Sequence, residues 1–107
     1  MSRTLSPHEL QSLLTQSEKL ILLDVRRTVD YNADTAKVLG AIWHDPARVA
    51  EWSAELPRDK DIVLYCARGG GVSNSVLDHL LKQGLTARYI DGGIEAWKTA
   101  GGATAEK

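Results

Sequence analysis

Two short runs of this chain, Leu20-Ile21-Leu22-Leu23-Asp24-Val25 and Ile62-Val63-Leu64-Tyr65, are apolar at nearly every position instead of at alternate ones. A strand with one face in water alternates. A run that does not alternate, and is too short for a helix, is the pattern of a strand covered on both faces in a parallel sheet. Helical patterns separate these runs. Ser6-Pro7-His8-Glu9 carries a capping box, with Ser6 as N-cap, Pro7 in the first turn and Glu9 three residues after the cap, so a helix starts there and turns Leu10, Leu13 and Leu14 to the core. A short helix is expected from Thr28 to Ala33, and a brief strand at Gly40-Ala41-Ile42-Trp43. Asp45-Pro46 restarts a helix whose apolar face is Val49, Trp52 and Leu56 before Pro57 ends it. Val72, Val76, Leu77, Leu80 and Leu81 stripe a helix that Gly84 stops. Ala87-Arg88-Tyr89-Ile90-Asp91 reads as a strand, and Gly92-Gly93 turns the chain into a last helix carrying Ile94 and Trp97.

Alternation of this kind, with short connections, predicts an α/β fold: a mainly parallel sheet with helices on both faces and its ligand site at the C-terminal ends of the strands. At 107 residues the chain fits one domain spanning residues 1–107, with Gly101 to Lys107 expected to fray as a flexible tail. The three tryptophans, Trp43, Trp52 and Trp97, are read as core. A net charge of −1 provides no electrostatic footprint for nucleic acid or an anionic membrane, and neither is expected as a partner. No run approaches the length of a membrane span and the N-terminus lacks an apolar leader, so the expectation is a cytoplasmic protein.

The only cysteine, Cys66, closes the second apolar run and is followed by Ala67-Arg68-Gly69-Gly70-Gly71-Val72-Ser73 and then by a helical pattern. One cysteine excludes an internal disulfide and a cysteine-based zinc site, and suits a reducing compartment. A thiol at a strand-to-helix turn, beside consecutive glycines whose backbone can curl its N–H groups inward and before a helix N-terminus, is placed to act as a thiolate nucleophile. Most single cysteines are inert small hydrophobes, but such a residue needs no anion-shaped loop. Asp24, at the end of a buried strand, is read as a hydrogen-bond acceptor holding a neighbouring loop, with Arg26 beside it as a second support. Ser73 is assigned to capping the helix, in preference to donating to a bound anion. His44 is placed on a surface turn, and His8 and His79 receive no role.

Leu22-Leu23-Asp24-Val25-Arg26, Gly40-Ala41-Ile42, Val63-Leu64-Tyr65-Cys66 with its glycine loop, and Gly92-Gly93-Ile94-Glu95-Ala96-Trp97 stand in the order and spacing of the rhodanese-like domains, and the chain resembles that family over nearly its whole length. The resemblance implies a three-layer α/β/α fold around a mainly parallel five-stranded sheet, and sulfane-sulfur transfer through Cys66. In that chemistry the thiolate takes the outer sulfur of thiosulfate or a similar small anionic donor, holds it as a persulfide, and gives it to cyanide, a thiol or a protein sulfur acceptor. No metal or organic cofactor is implied. The backbone of residues 67 to 72 would cradle the anion, with Arg68 as the one cation inside the loop. Trp43-His44-Asp45-Pro46 and the glycine loop look most like a subgroup that accompanies chromate-resistance proteins.

Two departures stand out. Many active members carry arginine as the sixth loop residue, counted from the cysteine, where this chain has Gly71; and the family's Gly-His-Ile segment is replaced by Ala36-Lys37-Val38-Leu39. A non-turnover sulfur carrier, redox sensor or binding module therefore stays open beside the enzyme. A cysteine phosphatase or arsenate reductase is disfavoured, because the first needs an arginine fork where Gly71 and Val72 fall and the second needs further thiols.

Overall fold

A computed structural model describes residues 3–16, 20–68 and 70–107. Strands β1 (Thr4–Leu5), β2 (Leu20–Asp24), β4 (Ile42–Trp43), β5 (Asp61–Tyr65) and β6 (Ala87–Ile90) form one sheet in the order β1-β6-β5-β2-β4, every neighbour parallel. Helices α1 (Pro7–Gln16), α2 (Thr28–Ala33), α3 (Val49–Trp52), α4 (Gly71–Lys82) and α5 (Gly93–Thr99) connect them, with 3-10 turns on either side of α3. A separate antiparallel pair joins β3 (Ala36–Val38) to β7 (Thr104–Glu106).

The unbroken apolar runs become strands with two buried faces. Leu22, Val63 and Tyr65 point to one face and pack with Leu10 of α1 and with Ile94 and Trp97 of α5. Leu23, Ile62 and Leu64 point to the other, against Trp52 of α3 and Val76, Leu77 and Leu80 of α4. The period of two along each strand thus divides the core into two layers, which is the expected three-layer α/β/α arrangement. The Ser6–Glu9 capping box forms as read: the Ser6 amide donates to Glu9 Oε1 at 2.8 Å, and the Glu9 amide to Ser6 Oγ at 3.1 Å.

Several expectations are corrected. Leu14 and Leu81 lie at the outer margin of their helical stripes and are exposed. The tail expected to fray is held instead. β7 pairs with β3, the Trp97 indole N–H donates to the Ala103 carbonyl at 2.9 Å, and the Lys107 amide donates to the Thr35 carbonyl at 3.0 Å. His44 is half-buried, its ring stacked on Trp52 at 4.8 Å, and burial lowers its pKa against the opposing charge of Glu55.

The registration of β2 on β5 sets Asp24 beside Tyr65. Asp24 accepts from the Tyr65 hydroxyl at 2.9 Å, from the Arg26 amide at 3.0 Å and from Arg26 Nη2 at 2.7 Å. Arg26, only 1% exposed, also donates to Asp34 Oδ2 and to the Ala36 carbonyl, both at 3.0 Å, while Tyr65 Oη accepts the Val38 amide at 3.1 Å. Burial works against the Arg26 charge, but hydrogen bonding to Asp24 and that residue's charge outweigh it and raise the pKa. Burial, reinforced by the Asp24 charge, keeps the Tyr65 hydroxyl protonated well above the ordinary phenol range.

Asp34 carries this cluster outward by accepting from Lys98 Nζ of α5 at 2.7 Å. Partial burial pushes its carboxyl up. The Lys98 and Ala36 hydrogen bonds and the nearby Lys98 and Arg26 charges outweigh that and bring the pKa from 3.8 to about 2. A depressed folded-state pKa means stabilisation that is complete above the unfolded value and lost as pH falls through the folded one. Asp34→Asn is therefore expected to cost up to about 2 kcal/mol at pH 7 after solvent screening. Urea unfolding at a series of pH values should show the gap to wild type constant down to the ordinary aspartate range and narrowing below it; a gap that does not narrow would separate Asp34 from this charge network.

Candidate active site

β5 is the middle strand of the sheet, and Cys66 is the first residue beyond its C-terminal end, with 5% of its surface exposed. The loop that leaves Cys66 is shaped by α5. The Cys66 carbonyl accepts from the Ile94 amide at 3.0 Å and the Ala67 carbonyl from the Glu95 amide at 3.2 Å. In a trans peptide the C=O and the next N–H point in opposite directions. With both carbonyls drawn to α5, the amides of Ala67 and Arg68 are turned away from it, available to a negative charge.

Gly92 and Gly93 make this docking possible. Their φ angles are 80° and 65°, and a Cβ on Gly93 would stand 2.5 Å from the Cys66 carbonyl oxygen and 2.8 Å from the Arg68 nitrogen. Gly70 precedes α4 and is packed against another wall, where a Cβ would lie 2.8 Å from Asn74 Nδ2 and 3.1 Å from Tyr89 Oη. Asn74 donates to Tyr89 Oη at 3.0 Å and accepts from Arg3 Nη2 at 3.0 Å, tying the start of α4 to β6 and to the residue before β1. Gly71 opens α4, whose first-turn amides lack acceptors within the helix.

Above Cys66 lies a cavity of about 390 Å³ lined by Ala67, Arg68, Gly71, Val72, Arg27 and Asp30. It holds two cations and one carboxylate, which favours a small anion over the thiol. Of the residues singled out from sequence, Cys66, Ala67, Arg68, Gly71 and Val72 are brought together here. Gly69 lies outside the described residues. Gly70 faces Asn74 and Tyr89 and does not line this cavity. Ser73 is not a cap: the N-cap position is Gly70, and Ser73 sits in the first turn of α4, wholly buried, its hydroxyl without a partner among the described residues. Asp24 and Arg26 hold the ends of β2 and β5 from below. Arg26 lines an adjoining cavity with Arg68, Asp34, Glu95 and Lys98.

Arg27 and Asp30 line the Cys66 cavity and were not singled out from sequence. A signal for Arg27 existed. Arg27 itself is extended, with φ −60° and ψ 153°, and successive side chains along extended backbone point to opposite sides. Once Arg26 is drawn inward to Asp24, Arg27 is directed outward at the C-terminal edge of the sheet, where the cavity lies.

Residues 6–100 match the family model of the rhodanese-like domain. The chain is 37% identical over 97 residues to the probable adenylyltransferase/sulfurtransferase MoeZ of Mycobacterium tuberculosis; the match covers 88% of this chain and 24% of that protein, so the chain spans about a quarter of the length of this curated relative. Among solved structures, the rhodanese-like domain of an Anabaena protein superposes with a TM-score of 0.83 at 29% identity, covering 100% of this chain and 81% of that one. A rhodanese-related protein of Thermoplasma volcanium superposes with a TM-score of 0.82 at 23% identity, covering 99% and 100% respectively, a likeness of fold.

The contact under the loop gives a test of its construction. Gly93→Ala combines left-handed strain with overpacking against backbone and is expected to destabilise the protein by about 2–4 kcal/mol. Gly101→Ala is the control, since its φ is 79° but a Cβ there meets nothing within 4 Å; it should cost only the strain, about 1 kcal/mol. Equal losses for the two in urea unfolding would remove the close packing of α5 on the loop as a constraint.

Proposed function

The chain belongs to the rhodanese-like domain family, and from that membership we propose that it is a sulfurtransferase in which Cys66 carries sulfane sulfur as a persulfide. The observation that carries the reading is the Cys66 end of β5. A thiol opens onto a cavity with two cationic residues, beside amides that α5 has turned outward by taking the loop's carbonyls.

The reaction runs in two displacements. The Cys66 thiolate attacks the outer sulfur of a thiosulfate-class donor; the Sγ–S bond forms as the donor's S–S bond breaks, and the electron pair leaves with sulfite. The persulfide that remains is an anion like the thiolate it replaces, so one set of amides and cations serves both states. A thiophile, cyanide or a thiol, then attacks the outer sulfur and Cys66 leaves as thiolate. Ala67, Arg68, Gly71 and Val72 bind the anion in this scheme, and Asp24 and Arg26 act as supports.

Gly71 is the position at which the loop differs from many active members, and space is no obstacle there, since a Cβ would meet nothing within 4 Å. The missing cation weakens the hold on a dianionic donor, which leaves Arg68 and Arg27 to supply the positive field.

Intact-mass spectrometry before and after incubation with thiosulfate should show the gain of a single sulfur atom on wild type, reversed by cyanide, and none on Cys66→Ser. A gain that persists in Cys66→Ser would overturn the assignment, and a stable adduct without turnover would make the chain a sulfur carrier. In steady-state assays Arg68→Ala is expected to raise KM for thiosulfate about five-fold, and Gly71→Arg to lower it by a similar factor. Unchanged KM values in both would show that charge at the loop does not select the donor.

A further inference from the structure

The opening beside the Cys66 cavity is larger than a small inorganic anion needs. It measures about 480 Å³ and shares Arg27, Gly71 and Val72 with the Cys66 cavity. The partition between the two is low at Gly71, which has no side chain and open space around it. Beyond it the cleft presents Arg27, Asp45, the hydroxyl-bearing Thr28 and Ser75, and the apolar Pro46 and Val76.

Among the described residues, the two charges in this cleft form no ion pair with each other or with a neighbour. No hydrogen bond or ion pair among the described residues holds the Arg27 guanidinium. Asp45 commits one carboxylate oxygen to the Ala47 amide at 2.9 Å, where it caps the 3-10 turn before α3, and among the described residues no donor takes the other. Unpaired charges of both signs around a cleft with apolar walls are complementary to a ligand that itself carries both signs.

We propose that this cleft seats the body of the sulfur acceptor, a thiol bearing an amino-acid headgroup, with Arg27 taking its carboxylate and Asp45 its ammonium while its sulfur reaches Cys66 past Gly71. The inference rests on the sulfur-transfer reading and names the acceptor class for it. The acceptor thiolate attacks the outer sulfur of the Cys66 persulfide. A new S–S bond forms on the acceptor as the bond to Sγ breaks, the electron pair stays on Sγ, and the acceptor departs as a persulfide. No external oxidant or reductant enters.

The test compares four thiols at equal thiolate concentration as acceptors from persulfide-loaded protein: cysteine with both charges, 3-mercaptopropionate with the carboxylate, cysteamine with the ammonium and 2-mercaptoethanol with neither. Discharge by cysteine is expected to be about tenfold faster than by 2-mercaptoethanol under subsaturating conditions. Arg27→Ala should bring cysteine down to cysteamine. Asp45→Asn, which retains the acceptor for the Ala47 amide, should bring it down to 3-mercaptopropionate. Equal rates for cysteine and 2-mercaptoethanol in wild type, or a preference untouched by both substitutions, would overturn the proposal.

A second readout needs no sulfur transfer. S-methyl-L-cysteine, which has the headgroup but no thiol, should slow alkylation of Cys66 by iodoacetamide in wild type and not in Arg27→Ala. Protection without persulfide formation would leave the headgroup cleft standing and remove the sulfurtransferase reading. Persulfide formation with neither protection nor a preference for cysteine would remove the cleft and leave sulfur transfer.

Discussion

The structure depends on the buried charge of Arg26. A guanidinium with 1% of its surface exposed is tolerable only where its donors are matched, and the chain supplies Asp24, Asp34 and the Ala36 carbonyl for them. Each partner belongs to a different piece of structure: the end of β2, the turn after α2 and the start of β3. Tyr65 adds the end of β5 through Asp24, and through its hydroxyl the β3 amide of Val38. The Arg26 carbonyl receives the Trp43 indole at 2.9 Å, which brings in β4. One ionic cluster therefore holds three parallel strand ends level, Asp24 in register with both Trp43 and Tyr65, and the residue after the last of these is Cys66.

Positioning the thiol is only half of the construction; the other half is the direction of the peptide dipoles beside it. A buried loop must satisfy its carbonyls, and here the first amides of α5 do so for Cys66 and Ala67. Since a trans peptide faces both ways, satisfying the carbonyl on one side presents an amide on the other. The outward direction of these amides is thus a by-product of how the backbone is anchored, and side-chain charge is an addition to it. On the proposed reading, this is how a loop with glycine at its sixth position still favours an anion.

Much of this was legible in the residues. Unbroken apolar runs marked the strands covered on both faces, the Ser6–Glu9 box marked the start of α1, and the end of the second run marked where Cys66 leaves the sheet. The features that escaped lacked a local signal. β1 has two residues, too few for any periodicity, and is defined by pairing with β6. β7 looked like a frayed tail because its Thr-Ala-Glu composition is weakly strand-forming, and it is held by a partner strand and the Trp97 indole instead. Ser73 looked like a cap because serine usually is one near a helix start, but the helix begins two residues before it. Arg27 was overshadowed by its neighbour, and its direction is fixed only once Arg26 is known to turn inward.

The middle position of β5 has a dynamic consequence. A strand hydrogen-bonded on both sides belongs to the part of a fold that opens last, with amide protection approaching that of global unfolding. Cys66 is attached directly to that strand, whereas the far side of its cavity, Gly71 and Val72, hangs from the first turn of a helix whose N-cap has no side-chain bond. The two walls are therefore anchored differently: the sulfur to the central strand, and the surface facing it to the first turn of α4, which Asn74 ties to Tyr89 and Arg3. In the proposed transfer, the reacting sulfur is thus carried by the part of the fold that opens last, and the wall opposite it by a separate element.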